Sequence, residues 1–454
     1  MSSGREREMN VGLSESVASV MERNCRFIPG GLNSAIRAIE PMIAFAKASG
    51  AYLWDVEGKR YIDYHAAFAP YLLGHNFRPV NDAASEVLHS ELSQFNAGPS
   101  ILEGQLAELL CSRIDAVDKV VLLSTGSEAT AYAVRLSRAI TRRKHFIVMQ
   151  GGYNGNHDEL ACNVLNSIEE IGPRVSPGEY RLRPLGAGTT IEDTRFVHVV
   201  NFNDLESIRY VCRRFPVAAV ITEPVLQNIG VVPPQTGYLQ GLRKLADELG
   251  FVLIFDEVKT GFRHALGGYS AISKVRPDLV VYGKAIANGF PLAVVGGKQE
   301  HMDYLIHQDP SKRPFLGGTY NGHPVAVGAA IRTIEYLTEH EATLYPRLEA
   351  LGKRLETGMV EIFGRHGIRA CVSRQGSAVS FYFMDQIPRD FHDIAEKHDF
   401  ARDLDVRRCL VKSGIFFVPI ATKQCSISTA HTDQDIDLTL EMFERAVTKP
   451  SHGT

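Results

Sequence analysis

The sequence predicts an α/β protein: a large domain built on a mostly parallel seven-stranded sheet, with a smaller α+β domain beside it. Three observations carry this. Between residues 120 and 297, short apolar runs rich in Val, Ile and Phe alternate with helical stretches, and strands separated by helices imply a parallel sheet covered on both faces. Beyond a long helical stretch near 323–340 the pattern changes to a helix at 345–364, strand-like AVSFYFM at 378–384, a helix near 400–413 and GIFFVP at 414–419. Finally, 454 residues exceed one ordinary core and predict two or three domains.

In chain order, residues 1–50 read as a helical arm followed by a loop at FIPGGLNSAIR (27–37). In AYLWDVEGKRYIDY (51–64), two apolar runs flank Glu57-Gly58, the signature of a hairpin. A helix is expected near 79–93, with Pro79 suited to its first turn. The seven strand candidates are VVLLS (120–124), HFIVMQ (145–150), FVHVVN (196–201), VAAVITEPV (217–225), FVLIFDEV (251–258), LVVYGK (279–284) and AVVGG (293–297). Helices are expected at 127–142 and 237–249; in the second, Leu239, Leu242, Leu245, Ala246 and Leu249 share one face. The Gly- and Pro-punctuated stretch 160–195 has no period, and reads either as an active-site lid or as a surface excursion. The expected division is 1–85 as the arm and part of the small domain, 86–335 as the large ligand-binding domain, and 336–454 as the rest of the small domain.

Composition narrows the function. A hydrophobic share of 44%, a charged share of 22% and a net charge of -3 are ordinary for a globular protein. With no long basic stretch, nucleic acid is a poor partner. No apolar run is long enough to cross a bilayer, and MSSGREREMN lacks the apolar core of a signal peptide. Seven scattered cysteines contain no CxxC pair for zinc or redox work and suit a reducing compartment. The expectation is a soluble cytoplasmic protein without a metal site.

Five segments carry chemistry. IFDEVKTGF (254–262) and VVYGKAIANGFP (281–291) start as buried strands and end in charge, placing Asp256 and Lys284 at the edge where open α/β sheets bind ligands. STGSEATAYAVRL (124–136) runs strand, glycine turn, helix, so backbone N–H groups at Gly126 and Ser127 suit a phosphate. GGYNGNHDE (151–159) sets Tyr153 at a strand end, where an aromatic can stack on a flat ring. GGTYNGHP (317–324) offers Thr319 and further backbone donors. Each alone has a plainer reading: Asp256 as a surface carboxylate, Lys284 as an exposed lysine, Ser127 as a helix N-cap, Tyr153 as packing. Together they ask for one flat ligand, anionic at one end, with a ring nitrogen that wants a carboxylate and a carbon that reacts with an amine. Pyridoxal phosphate fits. Neither GxGxxG after a strand nor GxxxxGK[ST] is present, which counts against a nicotinamide oxidoreductase or a P-loop enzyme.

These motifs, with PGGLNSAIRA, WDVEGKRYIDY, EPVLQNIG and AHTDQDID, resemble the class III (ω) aminotransferases of the fold-type I pyridoxal phosphate enzymes, and within them the glutamate-1-semialdehyde 2,1-aminomutase branch. The resemblance spans about residues 25–445. It implies that Lys284 is the Schiff-base lysine and Asp256 the partner of the pyridine nitrogen. It implies Val258 and Tyr153 on the two ring faces, Gly126 and Ser127 in the phosphate cup, and Asn228 near the ring hydroxyl, with Glu223 behind. Thr319 would reach the phosphate of a neighbouring subunit in a homodimer. Ser34 and Arg37 would face the substrate, the guanidinium gripping its carboxylate; on composition alone Arg37 is an exposed loop cation. His65 and Phe68 would also line the substrate side.

The chain departs from that branch in three places. Asn154 follows Tyr153 where the family has histidine. Phe68 stands where the aminomutase has tryptophan. Lys423 stands where it has glutamate, a cation suited to a second carboxylate or simply to solvent. The leading expectation is therefore an aminotransferase acting on small α- or β-amino acids and a keto acid such as 2-oxoglutarate or pyruvate. The alternative is the aminomutase itself or another isomerase or racemase. A non-catalytic protein on the same fold is disfavoured because Lys284, Asp256 and Tyr153 are all present.

Overall fold

The computed structural model describes residues 15–94 and 98–449; the start of the expected N-terminal arm lies outside them. All seven apolar runs form one sheet, in the spatial order Lys119–Leu123, Ala293–Gly297, Leu279–Tyr282, Val252–Glu257, Val217–Thr222, His145–Met149 and Val197–Val200. The last five pair in parallel. Four of these strands, Val197–Val200, Val217–Thr222, Val252–Glu257 and Leu279–Tyr282, are buried at every position, which is why their sequences are mostly apolar rather than alternating. Ala293–Gly297 runs antiparallel to both neighbours. The link from Tyr282 holds one short turn, Lys284–Ala287, and is too short for a parallel crossover.

Helices cover the sheet. Gly126–Thr141 packs across its central strands. Tyr238–Leu249 buries Leu239, Leu242, Leu245 and Ala246, with Leu249 half-buried at its end. Each buried leucine contributes about 1.5–3 kcal/mol. The helices expected near 79–93, 323–340, 345–364 and 400–413 form as Arg78–His89, Pro324–Glu339, Glu341–Arg365 and Phe400–Lys412. A further helix, Asp433–Val447, opens on a reciprocal cap between Thr432 and Asp435, a signal that the apolar pattern does not carry.

The hairpin at Glu57-Gly58 forms from Tyr52–Asp55 and Arg60–Asp63, joined by Phe45–Ser49. Only Ile415–Phe416 of the GIFFVP run pairs, in parallel with Ile62 and Asp63, so the N-terminal hairpin and the C-terminal segment share a sheet. A third sheet holds Cys371–Gln375, Ala378–Tyr382 and Cys425–Ser426.

Residues 160–195 are a surface excursion rather than a lid. Tyr180 bridges to Val199 at the outer edge of the large sheet, and the Arg174 guanidinium pairs with Asp390 and Asp393. Those bonds dock the segment at the sheet edge, away from the cavity described below, and none of its residues lines that cavity.

One buried network sets the loop 420–424. The Asp403 carboxylate accepts from Arg407 Nε at 2.6 Å and from the Thr422 N–H at 2.5 Å, and is bonded to His398 Nε2 at 3.1 Å. Thr422 itself has φ +64°, a left-handed conformation that this anchor holds. Burial pushes the Asp403 carboxyl up, but Arg407, His398 and the Thr422 N–H outweigh it and hold it below the ordinary value. Its contribution is therefore present above the unfolded carboxylate pKa and is lost as pH falls through the depressed folded value. Asp403→Ala leaves Arg407 buried without its counter-charge, and should cost about 3–5 kcal/mol in urea unfolding at neutral pH. A loss below about 1 kcal/mol would contradict the network's structural role.

Candidate active site

Strand register brings the two key groups together. Asp256 pairs with Val281 and Glu257 with Tyr282 on adjacent parallel strands, so Asp256 and Lys284 leave the sheet at the same carboxyl edge. They open on a cavity of about 230 Å³. Gly126, Ser127, Tyr153, Asn228 and Val258 line it with them. Asn154, Glu223 and Lys259 also line it.

Lys284 begins a short turn, Lys284–Ala287, with φ +44°. That conformation costs a non-glycine residue roughly 1–2 kcal/mol. Asn288 closes the turn and fixes it, donating to Gly74 O at 3.1 Å and accepting from Leu73 N at 2.9 Å. Burial lowers the Lys284 pKa, and the nearby carboxylates of Asp256 and Glu223 partly restore it. The result is an amine with a larger neutral fraction than a surface lysine.

Asp256 is 3% exposed. It accepts from Asn154 Nδ2 at 2.8 Å and from the Val258 N–H at 3.1 Å, and no lysine or arginine among the described residues forms an ion pair with it. Burial and the charge of Glu223 push its carboxyl up to about 6. A cationic ring nitrogen is the partner such a carboxylate lacks.

The helix Gly126–Thr141 is capped by Thr125, not by Ser127: the Thr125 hydroxyl accepts from Glu128 N, and the Glu128 carboxylate accepts from Thr125 N. Ser127 is thereby free of capping, and its hydroxyl instead accepts from Asn156 N at 2.9 Å. First-turn N–H groups have no partner within their own helix, and the first two residues of this helix, Gly126 and Ser127, line the cavity. Gly126 packs closely there, since a Cβ would lie 3.1 Å from both Val258 methyls.

Glu223, 2% exposed, organises the opposite wall. Its carboxylate accepts from Tyr153 N at 3.1 Å, Asn228 Nδ2 at 3.0 Å and Gln227 N at 3.0 Å. Tyr153 is placed through its backbone, and Asn228 through its amide.

The remaining expected residues lie outside this cavity. His65 and Phe68 sit just beyond it on a segment in which Ala66, Ala67, Phe68 and Ala69 all have positive φ, with the two rings edge-to-face at 4.1 Å. Asp63 fixes that segment by accepting from the His65 and Ala66 N–H groups, and Arg263 by donating to Ala69 O. Lys423 is half-buried rather than solvent-facing. Ser34 precedes the short turn Ala35–Arg37, and Arg37 is exposed. Thr319 lies on an exposed turn. Four lining residues are not among those expected in such a role: Thr130, Gly155, Asn154, read from sequence only as an altered neighbour of Tyr153, and Lys259. For the last two the sequence does carry a signal. Their signals are an amide in a histidine position and a lysine three residues past Asp256.

A family model, aminotransferase class-III, matches residues 34–447. The chain belongs to the class-III aminotransferases. It is 35% identical to glutamate-1-semialdehyde 2,1-aminomutase 1 of Staphylococcus epidermidis, over 96% of this chain and 99% of that one. An ω-transaminase from Sphaerobacter thermophilus superposes with a TM-score of 0.86 at 28% identity, covering 96% of this chain and 98% of that one. FumI from Sphingopyxis sp. MTA144, solved in its pyridoxal phosphate internal aldimine form, gives 0.79 at 27%, covering 95% of each chain. The fold is thus the fold-type I α/β architecture, and the cofactor of the class is pyridoxal 5′-phosphate.

Asn154 favours the ionised form of Asp256, so its removal raises the carboxyl pKa further. In the protein stripped of cofactor, affinity for pyridoxal 5′-phosphate should decline as pH falls below about 6, where Asp256 gains its proton. Asn154→Leu should move that decline to higher pH and weaken binding roughly ten-fold at pH 7. Fluorescence titration across pH checks this; superimposable profiles would separate Asn154 from the carboxylate's ionisation.

Proposed function

We propose that the chain is a pyridoxal phosphate-dependent aminotransferase, taking the amino group from a carboxylate-bearing amine and delivering it to a keto acid. The observation that carries this reading is the pairing of an amine of lowered pKa, Lys284, with a buried carboxylate that lacks a cation, Asp256, at one sheet edge. The bound cofactor supplies an electron sink that stabilises negative charge on the substrate carbon. The chain's residues do the rest. Lys284 Nζ would hold the cofactor, and its amine would carry the proton to and from the substrate carbon. Asp256 keeps the ring nitrogen protonated, and Asn154 keeps Asp256 ionised. Gly126 and Ser127 take the phosphate at the helix start. Val258 and Tyr153 flank the ring, and Asn228, oriented by Glu223, meets the ring hydroxyl. Ser34 and Arg37 grip the substrate carboxylate. Thr319 reaches the phosphate of a second copy, making the working unit a homodimer.

A second reading, the 2,1-aminomutase, is favoured by the name of the Staphylococcus epidermidis relative. Lys423 supports transfer, because a cation in place of the aminomutase's glutamate suits an acceptor with a second carboxylate. Phe68 is the other difference on the substrate side. The two readings separate by whether the amino group leaves the molecule. An amino acid labelled with ¹⁵N, incubated with unlabelled keto acid, should give a labelled second amino acid. Label that appears only within one rearranged substrate assigns the aminomutase instead.

Lys284→Ala should retain its melting temperature and circular dichroism yet lose at least about a thousand-fold in turnover, as expected when a nucleophile and proton carrier are removed together. Turnover near that of the unsubstituted enzyme would remove Lys284 from the chemistry.

A further inference from the structure

Two lysines, Lys259 buried and Lys423 half-buried, stand together beside the Lys284 cavity. Lys259, 6% exposed, lines the cavity and donates from Nζ to Gln227 O at 2.7 Å. Lys423 donates from Nζ to the next carbonyl, Asn228 O, at 2.6 Å. Successive carbonyls of one loop thus hold two ammonium groups side by side, each with three N–H donors. Next to them is His65, whose Nε2 is buried and has no hydrogen-bond partner among the described residues. Burial drives its imidazole down to about 3, with Lys259, Lys423 and Arg407 adding to the effect against Asp63, so the ring is neutral near pH 7.

The charges do not balance. Glu223 is the carboxylate that acts on both lysines, and its oxygens already accept three N–H groups. Burial lowers the Lys423 ammonium to about 8. Lys259 is lowered well below its usual range by burial and by repulsion from Lys423 and Lys284. Holding two loop carbonyls requires only neutral donors, whereas burying a pair of like charges carries a desolvation cost for each ion. An arrangement of this kind is completed by an anion. It is also built rather than incidental: Asp403 fixes the Lys423 loop through Thr422, and Asp63 fixes His65 through its N–H.

We propose that Lys259, Lys423 and His65 form a second anion subsite beside the Lys284 cavity, which takes the distal carboxylate of a dicarboxylic amino or keto acid. This rests on the reading of the cavity as the amino-transfer site, and it names the substrate class of that site. Lys259 and Lys423 supply ammonium donors to the carboxylate oxygens, and neutral His65 adds an N–H from Nε2. A monocarboxylic substrate leaves the pair uncompensated and binds more weakly.

The test uses unreactive acids, so it does not depend on turnover. Glutarate and butyrate differ chiefly by one carboxylate. Calorimetric titration of the holoenzyme should show glutarate binding at least about ten-fold tighter than butyrate, the gain expected of one charge-assisted contact. Lys259→Gln and Lys423→Gln keep an amide donor for the loop carbonyl but remove the charge. Each should erase most of the glutarate preference while leaving butyrate affinity within about two-fold, and Lys423→Arg should retain the preference. Equal affinity for the two acids in the unsubstituted holoenzyme overturns the subsite, as does an equal loss for both acids in the glutamine variants, which is the mark of a structural clamp. If either variant fails to fold, the unsubstituted comparison and Lys423→Arg still decide. A glutarate preference in an enzyme that transfers no amino group would sink the functional reading and leave the subsite standing; transfer without the preference does the reverse.

Discussion

The carboxylate of Glu223 is the point on which the site depends. Buried at the end of the strand Val217–Thr222, it fixes the Tyr153 backbone, the Asn228 amide and the turn at Gln227, and it acts as the anion on Lys259 and Lys423 and, after Asp256, on Lys284. Three ammonium groups in a low-dielectric wall repel one another strongly. Without a buried anion among them they would shed their protons or open the wall to water. The same charge also raises Asp256. One carboxylate thus keeps the lysines close together and leaves its neighbour in need of a cationic partner. Groups tuned by burial and by specific charges in a cleft are the physical signature of a working site.

The fold delivers these groups by register. Parallel strands end at one edge, so Glu223, Asp256 and Lys284 emerge side by side from three consecutive neighbours in the sheet. Beyond the cavity, His65, Phe68 and Lys423 come from the segments that carry the hairpin and the C-terminal loops. Their site residues are held by buried ionic or hydrogen-bonded anchors rather than by regular structure: Asp63 and Arg263 hold the left-handed run 66–69, and Asp403 holds Thr422. Strain in both places is consistent with loops shaped for a ligand.

The large sheet was legible in the sequence because its strands are buried on both faces, and a continuous Val- and Ile-rich run of strand length, bounded by charge, fits poorly anywhere but inside such a sheet. Asp256 and Lys284 were legible for the same reason, as charges closing such runs. The antiparallel Ala293–Gly297 and the true cap at Thr125 were not, since each depends on link length or on a side chain choosing between two nearby donors. The 160–195 segment shows the limit of reading loops: lack of period marks irregular structure but not where it docks, which Arg174 and Tyr180 decide. Lys259 was hidden because a lysine after DEV looks like any lysine until three-dimensional proximity to Lys423 and His65 shows it to be buried in a cationic cluster. Ser34 and Arg37, taken from motif resemblance, lie outside the cavity, Ser34 half-buried before a short turn and Arg37 exposed at its end.

The decisive measurement is the visible absorption spectrum of the purified protein, taken before and after each amino acid of a panel is added without any keto acid. Amino-group transfer at Lys284 requires a yellow protein whose band is discharged by at least one amino acid, with a stoichiometric amount of the corresponding keto acid released, and dicarboxylic donors foremost among those that respond. A yellow band that no amino acid discharges, in a protein that does rearrange glutamate-1-semialdehyde, would contradict amino-group transfer between molecules as its function.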